Sequence, residues 1–192
     1  MARPSVAAQR REEILDAFEL CILETGIQAV SLENIAEKAQ VKRTILRHYI
    51  GNRDDIIIAL SDRWVGHYTK QWEDSLNWLP QENRVDALVD SLFTVRTQEE
   101  LDAITIGEAI FSEAKRLEAV KAHQLSAMKE FIDHFTRELK QQFPDAQEDK
   151  IDLVAYTVYS NYLMSESLYP LKLFDEIYKI KNATKLACSI LA

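Results

Sequence analysis

The chain has 192 residues with only four glycines and four prolines, long enough to bury a substantial core and poor in residues that interrupt helices. No alternating β-rich runs separated by Asn-Gly or Asp-Gly turns occur, which favours an all-α fold. The net charge of −8 is uneven: residues 1–72 hold ten Lys/Arg and ten Asp/Glu, whereas residues 73–192 hold thirteen and twenty-one, so the first part is neutral and the second carries all the acidity.

In chain order, Ala7 to Thr25 reads as a first helix, with Ile14, Phe18, Cys21, Ile22 and Thr25 on one stripe and Gly26 as its left-handed stop. Two short helices follow between Ser31 and Gly51. Asn52 caps a longer helix to about Trp78, with Asp54 and Asp55 in the first turn, where the helix dipole favours anions. Pro80 ends it. Further helices are expected over Asn83–Val95, from Thr97 (capping box with Glu100) to Arg116, over Glu118–Gln142, from an Asp145/Glu148 cap to Tyr169, and over Leu171–Leu191. The sum is about nine helices in an all-α protein, divided into residues 1–53 and 54–192, with helix 54–78 connecting the two. Cys21 and Cys188 sit among apolar neighbours, as two buried thiols would. The longest uncharged run, Leu153–Ser165, is 13 residues, short of the roughly 20 that span a bilayer, and the amino terminus lacks a secretory apolar stretch. A soluble, cytoplasmic protein is the expectation, with no membrane partner.

The segment Ser31 to Arg53, SLENIAEKAQVKRTILRHYIGNR, carries the functional signal. Ser31 can cap a helix in which Leu32, Ile35, Ala36 and Ala39 share one face. Val41 plugs a short turn, and a second helix offers Ile45, Leu46 and Tyr49 for packing. From Ala39 to Arg53 the charged residues are Lys42, Arg43, Arg47 and Arg53, with no Asp or Glu. A cationic helix after a tight turn is what entry into a phosphate-lined groove requires.

On these residues the chain resembles the TetR family of bacterial repressors. Ser31, Ile35, Ala36, Ala39, Val41, Leu46 and Tyr49 match that family's helix-turn-helix pattern in identity or kind, and Ile56 holds its closing aliphatic place. Arg53 falls where the family has a phosphate-contacting lysine. The pattern covers about the first third of the chain; the remainder matches in helix count and order. There are four departures. Gln40 replaces the turn glycine, so either it adopts a left-handed conformation or the turn differs. Arg47 replaces a tyrosine that touches phosphate, Ile45 a threonine, and Ile50 a phenylalanine.

The resemblance implies a regulator of transcription that binds double-stranded DNA, commonly a repressor. Arg43, Thr44 and His48 are the candidates for base edges, and Lys42, Arg47, Arg53 and the Ser31 terminus for phosphates. Arg3 with Arg10 or Arg11 could extend into a minor groove or remain a solvated tail. It also implies a homodimer on a palindromic operator, formed through the last two helices, with Val154, Val158, Leu163 and Leu168 facing from one and Leu173, Ile177, Ile180, Thr184, Leu186 and Cys188 from the other. The alternative for these stripes is the subunit's own core. A small-molecule effector is implied too, held by large side chains of the central helices: Trp64, Tyr68, Trp72, Phe93, Phe111, Phe131 and Tyr159. For each of these, plain core packing is the competing assignment.

An enzyme is not expected. A di-iron bundle needs Glu-x-x-His pairs, and the residues three before His48, His67, His123 and His134 are Ile45, Trp64, Val120 and Phe131. No phosphate loop, nucleophile elbow or Cys-x-x-Cys occurs, so no catalytic residue, metal site or cofactor is assigned. The rival is a helical adaptor using a helix-turn-helix-like bundle for protein contacts alone; the unbroken basic run speaks against it.

Overall fold

The computed structural model describes residues 6–192, and among these it contains nine α-helices and no strand. They are α1 (Val6–Thr25), α2 (Leu32–Lys38), α3 (Arg43–Ile50), α4 (Arg53–Trp78), α5 (Arg84–Leu92), α6 (Gln98–Glu113), α7 (Glu118–Gln142), α8 (Glu148–Leu168) and α9 (Phe174–Ser189). Arg3 lies outside the described residues. None of the described helices is long and apolar enough to cross a membrane.

Local chemistry sets most of the helix ends. Gly26, at φ +77°, ends α1 and donates its N–H to the Ile22 carbonyl. Ser31 and Asn34 form a reciprocal capping box at the start of α2. Asn52 caps α4 by accepting from the backbone N–H groups of Asp54 and Asp55, while Asp55 Oδ2 accepts from the Asn52 N–H. Thr97 and Glu100 make the same reciprocal pair before α6. The Asp145 cap is a correction: α8 begins at Glu148 behind Gln147, which makes no side-chain cap, because Pro144 and Asp145 lie in a turn.

The molecule divides into two compact units, Met1–Val65 with Thr105–Gln124, and Gly66–Ile104 with Leu125–Ala192. The boundaries fall inside α4, α6 and α7, so the first unit contains the helix-turn-helix, the first half of α4 and a segment from much later in the chain. Its core is Ile14, Leu15, Phe18, Ile22, Ile35, Leu46, Ile56, Ile57 and Leu60, all essentially without solvent exposure, with α1 packed on both α2 and α3. Ile110 and Val120 of the later segment are equally buried.

In the second unit α9 packs on α8 and α5 over Val85, Leu88, Val89, Phe135, Leu139, Ala155 and Val158. Here the two readings of the terminal stripes separate. Val154, Val158, Ile177, Thr184 and Cys188 are buried within the subunit and are not facing residues; Leu163, Leu173 and Leu186 are exposed. Leu168 and Ile180 are half-buried against the core. Both cysteines are free and buried.

Candidate nucleic-acid interface

The geometry of α3 follows from which side of an eight-residue helix is apolar. Leu46 and Ile50 are buried against the first-unit core, and Lys42, Arg43, Thr44, Ile45, Arg47 and His48 are exposed. At about 100° per residue, the pole opposite Leu46 and Ile50 falls on His48, with Thr44 and Ile45 within about 60° of it and Arg43 and Arg47 on one flank. Ile45 is therefore not a packing residue: at 43% exposure it belongs to the outer face. Two positive-φ positions shape the motif. Gln40 adopts φ +54°, so of the two alternatives the sequence left open it takes the left-handed conformation. Gly51 sits at φ +92°, and a Cβ there would collide with the Asp55 side chain that caps α4, so glycine is required.

The cations divide by their partners. Lys42 and Arg47 have no intramolecular ion-pair partner among the described residues, so their charge faces solvent. Arg43 pairs with Glu33 of α2, and Lys38 with Glu24 at 2.5 Å. These acids lie outside the acid-free run, and only the fold brings Glu33 to the flank of α3. Arg53 departs from expectation. Its guanidinium turns inward and donates to the Ile27 carbonyl at 2.6 Å and the Val30 carbonyl at 3.3 Å, tying the α1–α2 connection to the start of α4. Ser31 likewise uses its hydroxyl at home, accepting from the Asn34 N–H and donating to Asn34 Oδ1 at 2.5 Å.

Within the first unit, the later segment contributes a polar network. Glu113, 1% exposed, accepts from Gln28 Nε2 at 2.5 Å and from Arg116 Nε and Nη2 at 2.7 and 2.6 Å. Arg116 Nη2 also pairs with Asp54 at 2.7 Å, and its hydrogen bond holds the Asp54 carboxyl below the usual carboxylate range. A partner 85 residues away leaves no periodic trace, so sequence reasoning missed it.

The seven residues assigned to an effector are not all brought together. Trp64 lies in the first unit, its indole N–H donating to Glu19 Oε1 at 2.7 Å, and Phe111 lies there too, on the exposed surface. Tyr68, Trp72, Phe93, Phe131 and Tyr159 belong to the second unit. Phe131 is the hub, edge-on to Trp72 at 4.9 Å and to Tyr159 at 5.2 Å and stacked on Tyr162 at 5.3 Å. A shallow groove of about 430 Å³ in the first unit, lined by Arg11, Ile50, Asp55, Ile58, Ala59, Asp62 and His123, includes none of the seven. The second unit also holds a buried polar cluster. Arg96, its side chain only 9% exposed, donates to Glu166 Oε1 at 2.9 Å and to the Leu92 carbonyl, while its guanidinium lies over the Tyr169 ring. Its Nε has no acceptor among the described residues. Burial, with the Glu166 charge next, pushes the Tyr68 hydroxyl up to about 12, and burial likewise raises Tyr162. Among the described residues no cluster of His, Cys, Asp and Glu could hold a metal ion.

No family model matches the chain. The HTH-type transcriptional regulator BetI of Paraburkholderia xenovorans is 33% identical over 60 residues, 29% of this chain and 31% of that protein. The chain thus spans about a third of the length of the curated relatives it matches. Solved structures agree over nearly the whole length. Salmonella enterica GusR superposes with a TM-score of 0.76 at 16% identity, covering 99% of this chain and 98% of that one. A TetR transcription regulator from Haloarcula marismortui gives 0.76 at 17% identity, covering 95% and 97%. The structure is thus an all-α helix-turn-helix protein. More narrowly, it has the fold of the TetR/AcrR-family transcriptional regulators.

Proposed function

We propose that this chain is a sequence-specific DNA-binding regulator of transcription, a homodimer that represses from a palindromic operator and is released by a small molecule. The observation that carries the reading is the exposed side of α3, where Thr44 and His48 project from the outer pole, Arg47 from its flank and Lys42 from the N-cap of a helix anchored by Leu46 and Ile50. A cationic helix of this size fits the major groove and supplies both counterion release and base contacts. Arg43 joins them when phosphate or guanine replaces Glu33. Ser31 and Arg53 act by holding the frame that aims α3. The adaptor reading fares worse, because Lys42 and Arg47 are exposed with no acid paired to them among the described residues.

One short helix buries too little for tight specific binding, and a two-fold dimer supplies the second half-site. Support for dimerisation comes from large apolar side chains left exposed on α8 and α9: Leu153, Tyr156, Leu163, Met164, Tyr178 and Leu186. Such a patch on adjacent helices suits a four-helix interface between two copies. Regulation is supported by the second unit's tyrosine-rich core, in which the Arg96 Nε is a buried donor awaiting an acceptor. An effector that binds the DNA-incompetent arrangement more tightly shifts the population away from the operator. The site of action is the cytoplasm of a bacterium, on the nucleoid.

The test is selection of bound duplexes from a random DNA pool at fixed moderate salt. The expected result is enrichment of a palindrome, lost in Arg43→Glu with Arg47→Glu while helicity is retained. A folded protein that enriches nothing, or a charge-reversed variant that still binds, overturns the reading. Leu163→Glu with Leu186→Glu is expected to give monomers in sedimentation and to lose the palindrome; dimers that persist place the interface elsewhere.

A further inference from the structure

Ile45 is an oddity of the reading face. It is a large aliphatic side chain, 43% exposed, beside the outermost residue of a helix whose other exposed positions are Lys42, Arg43, Thr44, Arg47 and His48. Exposure of a β-branched aliphatic residue on a short helix improves neither propensity nor solubility. Its backbone N–H closes the first turn onto the Lys42 carbonyl, so the position is rigidly held. Leu46 and Ile50 already fill the inward side.

Resting on the DNA-binding reading above, we propose that Ile45 is a specificity-determining residue that packs against the C5 methyl group of a thymine in each operator half-site. The occupant follows from the surroundings. The cations around Ile45 direct that face to polyanion, and an aliphatic side chain has no hydrogen bond to offer a base. The major-groove edge presents one apolar group, the thymine methyl. Thr44 and His48, adjacent on the same pole, supply the polar contacts that set the register. Arg43, Arg47 and Lys42, towards one side of the face and at the helix start, reach the strands that border the groove.

The experiment uses the full-length protein and its selected palindrome. Each thymine is replaced in turn, symmetrically in both half-sites, by deoxyuridine, which removes the methyl and changes no hydrogen-bonding group. Burial of one methyl-sized group alters affinity about fourfold, so the wild-type protein should lose about fourfold per half-site at one position and little elsewhere. Ile45→Ala should bind the thymine site more weakly and lose the response to deoxyuridine at that position, whereas Ile45→Val should retain most of it. Because Ile45 lies outside the core, both variants should keep wild-type helicity and melting. A wild-type protein that binds its palindrome but ignores every deoxyuridine substitution, or an Ile45→Ala variant as sensitive as wild type, overturns this inference and leaves DNA reading intact. A folded wild-type protein that selects no DNA overturns the reading on which it rests, and the inference with it.

Discussion

Arg47 and Arg53 lie six residues apart and both looked like phosphate ligands, yet the fold gives them different surroundings, and salt dependence tests whether their roles differ. Arg47 is exposed and without an ion-pair partner among the described residues, so its charge is available to phosphate. The proposed dimer would carry two copies, and each neutralised phosphate contributes about 0.9 to the slope of log K against log salt, so Arg47→Ala should flatten that slope by about 1.8. Over a fourfold range of salt, the variant should then change affinity about tenfold less than wild type. Arg53 bonds to the Ile27 and Val30 carbonyls at 2.6 and 3.3 Å. Hydrogen bonds from a charged donor contribute about 1.5–3 kcal/mol each, and the long second bond and partial solvent access keep the sum near 2–3 kcal/mol. Arg53→Ala should therefore melt well below wild type while its salt slope, measured at a temperature where it remains folded, stays within about 0.5 of the wild-type value. Fluorescence anisotropy on a labelled operator across a salt series, with circular-dichroism melts in parallel, gives both numbers. An Arg53→Ala protein that melts like wild type and loses as much slope as Arg47→Ala would refute the assignment, because its guanidinium would then be a phosphate ligand.

Three further outcomes follow from the geometry. Gln40 holds φ +54°, which costs a side-chain-bearing residue about 1–2 kcal/mol, partly offset by the greater freedom glycine loses on folding; Gln40→Gly should gain on the order of 0.5–1 kcal/mol in chemical denaturation, and a loss would mean that the Gln40 side chain contributes more than its backbone strain removes. Glu113 and Arg116 should couple by about 1–2 kcal/mol in a double-mutant cycle, since Arg116 is partly solvated and keeps Asp54 when Glu113 becomes Ala; coupling below about 0.3 kcal/mol would show the pair to be inert. Tyr68 is raised to about 12 by burial, then by the Glu166 charge. Its neutral form is the one the fold favours, so its contribution is complete below the unfolded value near 10 and is lost as pH rises from there through about 12, on the order of 3 kcal/mol in all. Tyr68→Phe should remove that part of the alkaline loss of stability, and an identical pH profile for the variant would assign the loss to another group.

Much of the architecture was readable because it is local. Gly26 and Gly51, the Asn52 cap and the Thr97–Glu100 box stop and start helices through bonds within a few residues, so their signals sit next to the ends they make. The stripe of Ile14, Phe18 and Ile22 shows in its spacing which side faces inward. The cationic run around α3 was visible for the same reason: charge and exposure are properties of a short segment.

Local order did not reveal the partners of those groups. Glu33 neutralises Arg43 from another helix, and Arg53 turns away from solvent because two carbonyls of the α1–α2 connection lie within its reach. Ile45, read as a packing residue, is exposed because Leu46 and Ile50 already occupy the inward side of so short a helix. The stripes on α8 and α9 contain more apolar residues than either a core or an interface needs, and only packing sends Val158, Ile177 and Cys188 inward and leaves Leu163 and Leu186 outside. Residues 105–124 join the first unit through Glu113 and Gln28, 85 positions apart. The sequence alone determined the helices, their ends, the buried side of most of them and the concentration of cations, all set by neighbours within about one or two helical turns. Tertiary structure decided which cations stay free, which aliphatic side chains remain uncovered and which segments share a core, because those depend on groups that meet only when the chain has folded.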